Sequence, residues 1–203
     1  MTACLLGNGA LAQASVILAS DGNSVFSTST IPVISNNSEI VSSASFTRPA
    51  NTTAYAAGAL VANSTTAGSV IPLAFLNVVR TAGDCVRIER ARITKNGTSL
   101  TNASFKLHLF ETLPVATVGD GGAFNASGVL ATSGVLNYPG SFSTTLNISG
   151  TDGATGNAVP LTGNAITVSP TLGTTLYGLL EVTAAYTPVS GEVFTVVLEG
   201  FRT

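Results

Sequence analysis

Histidine is the side chain whose proton moves most readily near neutral pH, and this chain has one, His108. It lies between Leu107 and Leu109 in the run Ser104-Phe-Lys-Leu-His-Leu-Phe-Glu111. A general base needs a nucleophile or an acid to work with. The sequence offers no Gly-X-Ser-X-Gly elbow, no His-Glu-X-X-His and no Walker loop. His108 therefore reads as a histidine on the surface of a sheet. Cys4, Cys85 and His108 are too few for the three or four ligands of a zinc site. Gly7-Asn-Gly-Ala-Leu-Ala12 has the G-x-G-x-x-A form of a dinucleotide loop. That loop works only between a strand and a helix of a βαβ unit, and the turn Asp21-Gly-Asn23 stops any such helix early. Asp120-Gly-Gly122 and Asp152-Gly-Ala-Thr-Gly156 lack the spaced oxygen ligands of a calcium loop and read as turns. No catalytic residue, metal or cofactor is expected.

Charge placement is the remaining irregularity. Residues 80–111 hold six basic residues (Arg80, Arg87, Arg90, Arg92, Lys95 and Lys106) against Asp84, Glu89 and Glu111. The plain reading is a solvated sheet edge. The sharper one makes Arg80, Arg87, Arg90, Arg92 and Lys95 a basic strip docking on an acidic protein partner, since Arg favours bidentate interface pairs. Cys85 opens this stretch and Cys4 sits near the start of the chain. They are two independent thiols, with Cys85 a small buried hydrophobe, or a disulfide within one chain or between subunits.

The elements that must position these residues are strands. In the run around His108, Phe105, Leu107 and Leu109 point one way and Lys106, His108 and Phe110 the other. Gly83–Thr94 alternates too, but Val86 and Ile88 share one parity while Ala91 and Ile93 share the other, which places a β-bulge near Glu89 and Arg90. Leu176–Tyr186 and Glu192–Glu199 alternate on either side of Thr187-Pro-Val-Ser-Gly191 and read as a hairpin. The predicted core is Phe105, Leu107, Leu109, Leu180, Val182, Phe194, Val196 and Leu198. Residues 118–173 hold many glycines and read as loop-heavy, and residues 52–62 allow one helical turn. The expected architecture is all-β: an antiparallel β-sandwich, jelly-roll-like, over residues 45–203. Residues 1–44 read as an extended N-terminal arm ordered by a neighbour, or as two edge strands (13–20 and 25–34) of the same domain.

Composition narrows the class further. Of 203 residues only 9% are charged, against about 25% in an average soluble domain. Thr, Ser, Asn, Ala and Gly together make up 110 residues, so short neutral side chains must cover the surface. Net charge −2, pI 5.2 and mean hydropathy +0.45 argue against disorder and against nucleic-acid binding. The longest apolar run, 70–79, contains Pro72 and Asn77 and falls short of the ~18 residues of a membrane span. The start lacks the positive n-region of a secretion signal, so the seven Asn-X-Ser/Thr sequons read as turn chemistry. Low net charge favours association.

Three stretches carry a resemblance. Ser45-Phe-Thr-Arg-Pro-Ala-Asn-Thr-Thr-Ala-Tyr-Ala-Ala-Gly58 with Leu60-Val-Ala-Asn-Ser64 resembles the opening of a family of tailed-bacteriophage virion proteins. Phe105-Lys-Leu-His-Leu-Phe110 with Pro114, Asp120 and Ala123-Phe124 resembles the family's middle. Leu176-Tyr-Gly-Leu-Leu-Glu181 and Ala185-Tyr-Thr-Pro-Val-Ser-Gly-Glu-Val-Phe-Thr195 resemble its end. The resemblance covers about residues 45–203 and leaves out 1–44 and both cysteines. It implies a capsid decoration (cement) protein of the head exterior, assembled in the host cytoplasm. The implied partners are the major capsid protein and copies of itself, as a trimer, with neither nucleic acid nor membrane. A tail or fibre module contacting host glycans is the alternative. Sugar platforms need aromatic rings, and the chain has no Trp and four scattered Tyr.

Overall fold

The computed structural model describes residues 39–124, 126, 128–161 and 163–202. The predicted strands 13–20 and 25–34, the Gly7–Ala12 motif, Cys4 and most of the expected arm lie outside the described residues. Strand content is 45% and helix 2%, so the chain is all-β as its alternation predicts. The strands are β1 (Glu39–Thr47), β2 (Leu60–Val61), β3 (Leu73–Phe75), β4 (Val86–Lys95), β5 (Ser104–Phe110), β6 (Gly140–Thr145), β7 (Ile148–Ser149), β8 (Ala154–Pro160), β9 (Ile166–Val168), β10 (Leu176–Val182) and β11 (Val193–Arg202). Among the described residues one short helix, α1 (Thr132–Leu136), lies between β5 and β6. β1 begins at Glu39, so the boundary expected at residue 44 falls inside a strand paired along its length with β11.

All pairings of these strands are antiparallel, in the order β1-β11-β4-β8-β6-β5-β10-β2, with β3 beside β10, β7 beside β8 and β9 beside β4. β8 makes the sheet curl. Its residues 154–158 pair with β4, and its last two pair with β6. The two halves thus face each other as a sandwich. Phe105 on β5 meets Phe194 of β11 edge-to-face at 5.2 Å and Tyr186 at 5.5 Å, linking the halves through the core. All eight predicted core residues are buried.

The bulge appears where the parity slips. Arg90 pairs with Glu199 and Ile88 with Gly200, leaving Glu89 as the extra residue. Gly200 permits the close approach: a Cβ there would stand 2.0 Å from the Arg87 carbonyl oxygen.

Three expectations change. β10 and β11 form no hairpin: β10 pairs with β5, β2 and β3, whereas β11 pairs with β1 and β4. Residues 187–191 connect the two halves as an arch, with Gly191 at φ 61°. Local turn chemistry is the same in both arrangements. The arch wins because it turns two apolar faces toward each other and buries both. Residues 118–173 contain β6 to β9 as well as loops. Residues 52–62 hold no helix; Tyr55 bridges to Tyr186 and Leu60–Val61 is a strand.

Residues 111–139 form an excursion over the outer face of β5 and β10. Leu60, Ala62, Phe110, Ala116, Phe124 and Leu179 form a second apolar cluster beneath it. This second layer explains why Phe110, on the face expected to be polar, is fully buried.

Candidate functional site

The basic strip resolves into three different situations. Arg87, Arg90 and Arg92 project from β4 with about half of each side chain exposed. Each has a carboxylate within reach: Arg87 Nη2 is 3.3 Å from Glu89 Oε1, Arg90 pairs with Glu199, and Arg92 Nη2 is 3.8 Å from Glu199 Oε1. Three cations against two carboxylates make a nearly compensated patch. Such exposed pairs contribute less than about 1 kcal/mol each. A depression of about 250 Å³ lies here, lined by Glu39, Glu89, Arg90 and Glu199 with Gly200 and Phe201. Arg80 is exposed ahead of β4.

Lys95 does not belong to the strip. Its side chain is 0% exposed, and Nζ donates to Glu192 Oε1 at 3.1 Å and to the Gly97 carbonyl at 2.8 Å. It therefore presents no charge to a partner. Past the bulge, residues 91, 93 and 95 share the inward parity, so the strand aims Lys95 into the core. Cys85 is exposed, correcting its reading as a buried hydrophobe. Nothing in the described residues places Cys4, so the disulfide finds no structural account here.

The structure gathers other charges that sequence reasoning left apart, in three clusters. In the first, Lys95 and Glu192 share their buried site with Tyr186, whose hydroxyl donates to the carboxylate at 2.6–2.7 Å and whose ring lies 5.1 Å below Nζ. Gly97 leaves the room: a Cβ there would stand 1.9 Å from Glu192 Oε1. Burial, then the Glu192 carboxylate, pushes the Tyr186 hydroxyl far above its ordinary pKa.

In the second, Arg48 and Asp120 are 1% and 3% exposed, with Nη2 2.9 Å from Oδ2. Arg48 Nε donates to the Tyr55 hydroxyl, which in turn donates to Asp120 Oδ1 at 2.5 Å. The Ala62 N–H also donates to Oδ1, at 2.9 Å. Burial, then Asp120, raises the Tyr55 pKa well beyond the phenol range. Asp120-Gly-Gly122 is a turn, as expected. Its backbone docks on 58–64 through Asp120 N to Ser64 O (2.7 Å) and Gly121 N to Leu60 O (2.8 Å). Tyr55 and Tyr186 stack at 6.3 Å, so the two clusters adjoin.

The third holds His108. It is not a plain surface histidine: the excursion covers it, leaving its side chain 14% exposed. His108 Nε2 lies 2.7 Å from Glu181 Oε2 and Nδ1 lies 3.1 Å from the Tyr138 hydroxyl. Lys106 Nζ donates to the same Glu181 oxygen at 3.1 Å. Phe124 meets the imidazole edge-on at 5.0 Å. Burial pushes Glu181 up, but hydrogen bonds and charge from His108 and Lys106 outweigh it and hold the carboxyl below its ordinary range. The shared parity of Lys106 and His108 was legible. Glu181 was not, because only the register Glu181↔Lys106 brings it to them.

Both His108 nitrogens have partners, Glu181 at Nε2 and Tyr138 at Nδ1. No group of three or more His, Cys, Asp or Glu able to hold a metal occurs among the described residues. The residues of all three clusters except Lys95, Gly97 and Tyr138 come from residues 45–64, 105–124 and 176–195. No protein-family model matches the chain, and a search of curated proteins returns no match.

Proposed function

We propose that the chain is a structural protein of a tailed-bacteriophage particle, a decoration protein that binds the outside of the capsid and stabilises the head. The observation that carries this reading is the coincidence just described: the resembling segments supply the anchors that pin loops onto a neutral sandwich. Arg48–Asp120 fixes the excursion to the segment after β1, and His108–Glu181–Tyr138 fixes it to the sheet. A protein whose distinctive residues serve shape rather than turnover suits a shell. The low-charge surface repels its own copies little, which suits dense packing on a capsid.

The partners in this reading are the major capsid protein and further copies of the chain, with no role for nucleic acid, membrane or cofactor. Arg87, Arg90 and Arg92 remain candidates for the capsid contact, as polar rim rather than as a charged anchor. The test is quantitative mass spectrometry of purified particles. Hundreds of copies per particle support a shell protein. A few to dozens would move the chain to the tail, and absence from the particle would end the reading.

A further inference from the structure

β4 and β11 run side by side, with Lys95 at the end of one and Glu192 just ahead of the other. Their side chains meet in the core: both are 0% exposed, and Nζ lies 3.1 Å from Oε1. An amine and a carboxyl group, the two halves of an amide, thus touch where bulk water does not reach. The groups around them fit the amide as well as they fit the ion pair. The Gly97 carbonyl, 2.8 Å from Nζ, accepts one N–H. The Tyr186 hydroxyl donates to Glu192 Oε2 at 2.6 Å. An amide joining Nζ to Cδ keeps one N–H and one carbonyl oxygen, and these two partners satisfy both. The two buried charges disappear, and with them the desolvation that makes an interior ion pair expensive. Gly97 also leaves the approach clear, since a Cβ there would stand 3.0 Å from Glu192 Cδ and 3.2 Å from Lys95 Nζ, against both atoms that must join.

We propose that Lys95 and Glu192 condense after folding into an isopeptide bond that ties the end of β4 to the start of β11. The ion pair is the reactant state. One Nζ proton passes along the existing hydrogen bond to Glu192 Oε1, giving a neutral amine and a neutral acid. The amine lone pair then attacks Cδ. Negative charge grows on Oε2, where the Tyr186 hydroxyl already donates, as in an oxyanion hole. Burial and the neighbouring carboxylate keep that hydroxyl protonated, and so able to donate, far above the ordinary phenol range. A second Nζ proton goes to the Oε1 hydroxyl, the Cδ–Oε1 bond breaks, and one water leaves. The products are one amide and one water, with net charge unchanged and no oxidant or further reactant. In bulk water the reverse reaction, hydrolysis, wins. Groups oriented by a fold reach effective molarities of about 10⁵–10⁸ M, and a site closed to water hinders hydrolysis. The inference does not depend on the virion reading, because the site is complete within one chain.

The experiment is intact-mass spectrometry of the full chain, purified folded, then reduced and denatured. The expected mass of the wild type is one water below that of its sequence. Proteolysis should release a branched peptide joining the segment that holds Lys95 to the one that holds Glu192. Neither measurement needs a variant to fold. K95R keeps a cation, but its guanidinium is a poor nucleophile, so this variant should show its full sequence mass. Y186F keeps both reactants and loses the donor to Oε2. Sampled through an expression time course, its water loss should lag the wild type by about a hundredfold. Far-UV circular dichroism checks that both variants fold. A wild-type chain at its full sequence mass overturns the proposal. So does a water loss that maps to other residues or persists in K95R. Y186F cross-linking as fast as the wild type overturns the role given to Tyr186.

Discussion

Replacing Glu192 by Ala tests whether the buried clusters hold the sandwich together. Glu192 and Lys95 are both 0% exposed, and the carboxylate accepts from Lys95 Nζ and from the Tyr186 hydroxyl. Without it, Nζ keeps only the Gly97 carbonyl as a hydrogen-bond acceptor, and a buried charge loses its counter-ion. Breaking one side of a buried pair costs roughly 3–5 kcal/mol. The orphaned tyrosine hydroxyl adds about 1–3 kcal/mol. Since a domain is stable by about 5–15 kcal/mol in total, E192A should lie near the unfolding threshold. Urea denaturation followed by tyrosine fluorescence should show the midpoint falling by about 1 M or more, given slopes of about 1–3 kcal/mol per M. E199A is the comparison, since its arginine partners are about half exposed and the change should cost below about 1 kcal/mol. The double variant K95M/E192Q removes both charges. It keeps an acceptor for Tyr186, so most of the loss should return. A midpoint for E192A no lower than that of E199A refutes the reasoning, as does a double variant no better than E192A.

Acid should loosen the excursion: the folded Glu181 carboxyl is held below its ordinary value of 4.5, so its stabilisation is present above that value and fades as pH falls through the folded pKa. Thermal melts across this range should show a loss in the wild type that is smaller in E181Q. At the alkaline end, Tyr55 and Tyr186 have raised folded values, so their stabilisation is present below the ordinary phenol value near 10 and falls as pH climbs above it. Part of the tyrosinate absorbance should therefore appear only as the sheet signal in circular dichroism disappears. Gly119 has no room for a side chain, since a Cβ would stand 2.1 Å from the Thr65 carbonyl oxygen. G119A should then cost roughly 1–3 kcal/mol and raise hydrogen exchange around residues 111–139 first. Cys85 is exposed, so a maleimide should label it in the folded protein without denaturant. Non-reducing gels of particles should then show whether it is bridged.

Some of the fold was legible because its signals are local. Period-2 alternation needs only neighbouring residues, and β5, β10 and β11 carry it in large apolar side chains that the structure buries. The bulge in β4 was equally legible, as a slip between Ile88 and Ala91. β8 was not. Its inward residues are Ala154, Gly156, Ala158 and Pro160, small because neighbouring backbone crowds them: a Cβ on Gly156 would stand 3.0 Å from Leu146 Cα. A strand selected for close approach has little hydrophobicity to display. The false hairpin has a related origin, since Thr187-Pro-Val-Ser-Gly191 specifies a reversal and is silent on whether the returning strand pairs beside or across.

The candidate site shows the same divide between local and long-range information. Lys95 reads as a surface cation because a lysine at a strand end usually is one. What reverses it is a glutamate 97 positions away. Asp120 likewise looks like ordinary turn chemistry until Arg48 arrives from 72 positions away. The chain has only 18 charged residues, and it buries several of them in pairs. This use of charge has a physical logic in a sandwich covered by Thr, Ser, Ala and Gly. Small neutral side chains discriminate poorly between alternative ways of laying a long excursion on a sheet. A buried ion pair discriminates strongly, because any other docking leaves a charge unpaired in the interior. The clusters around Arg48, Lys95 and His108 thus select one arrangement of loops.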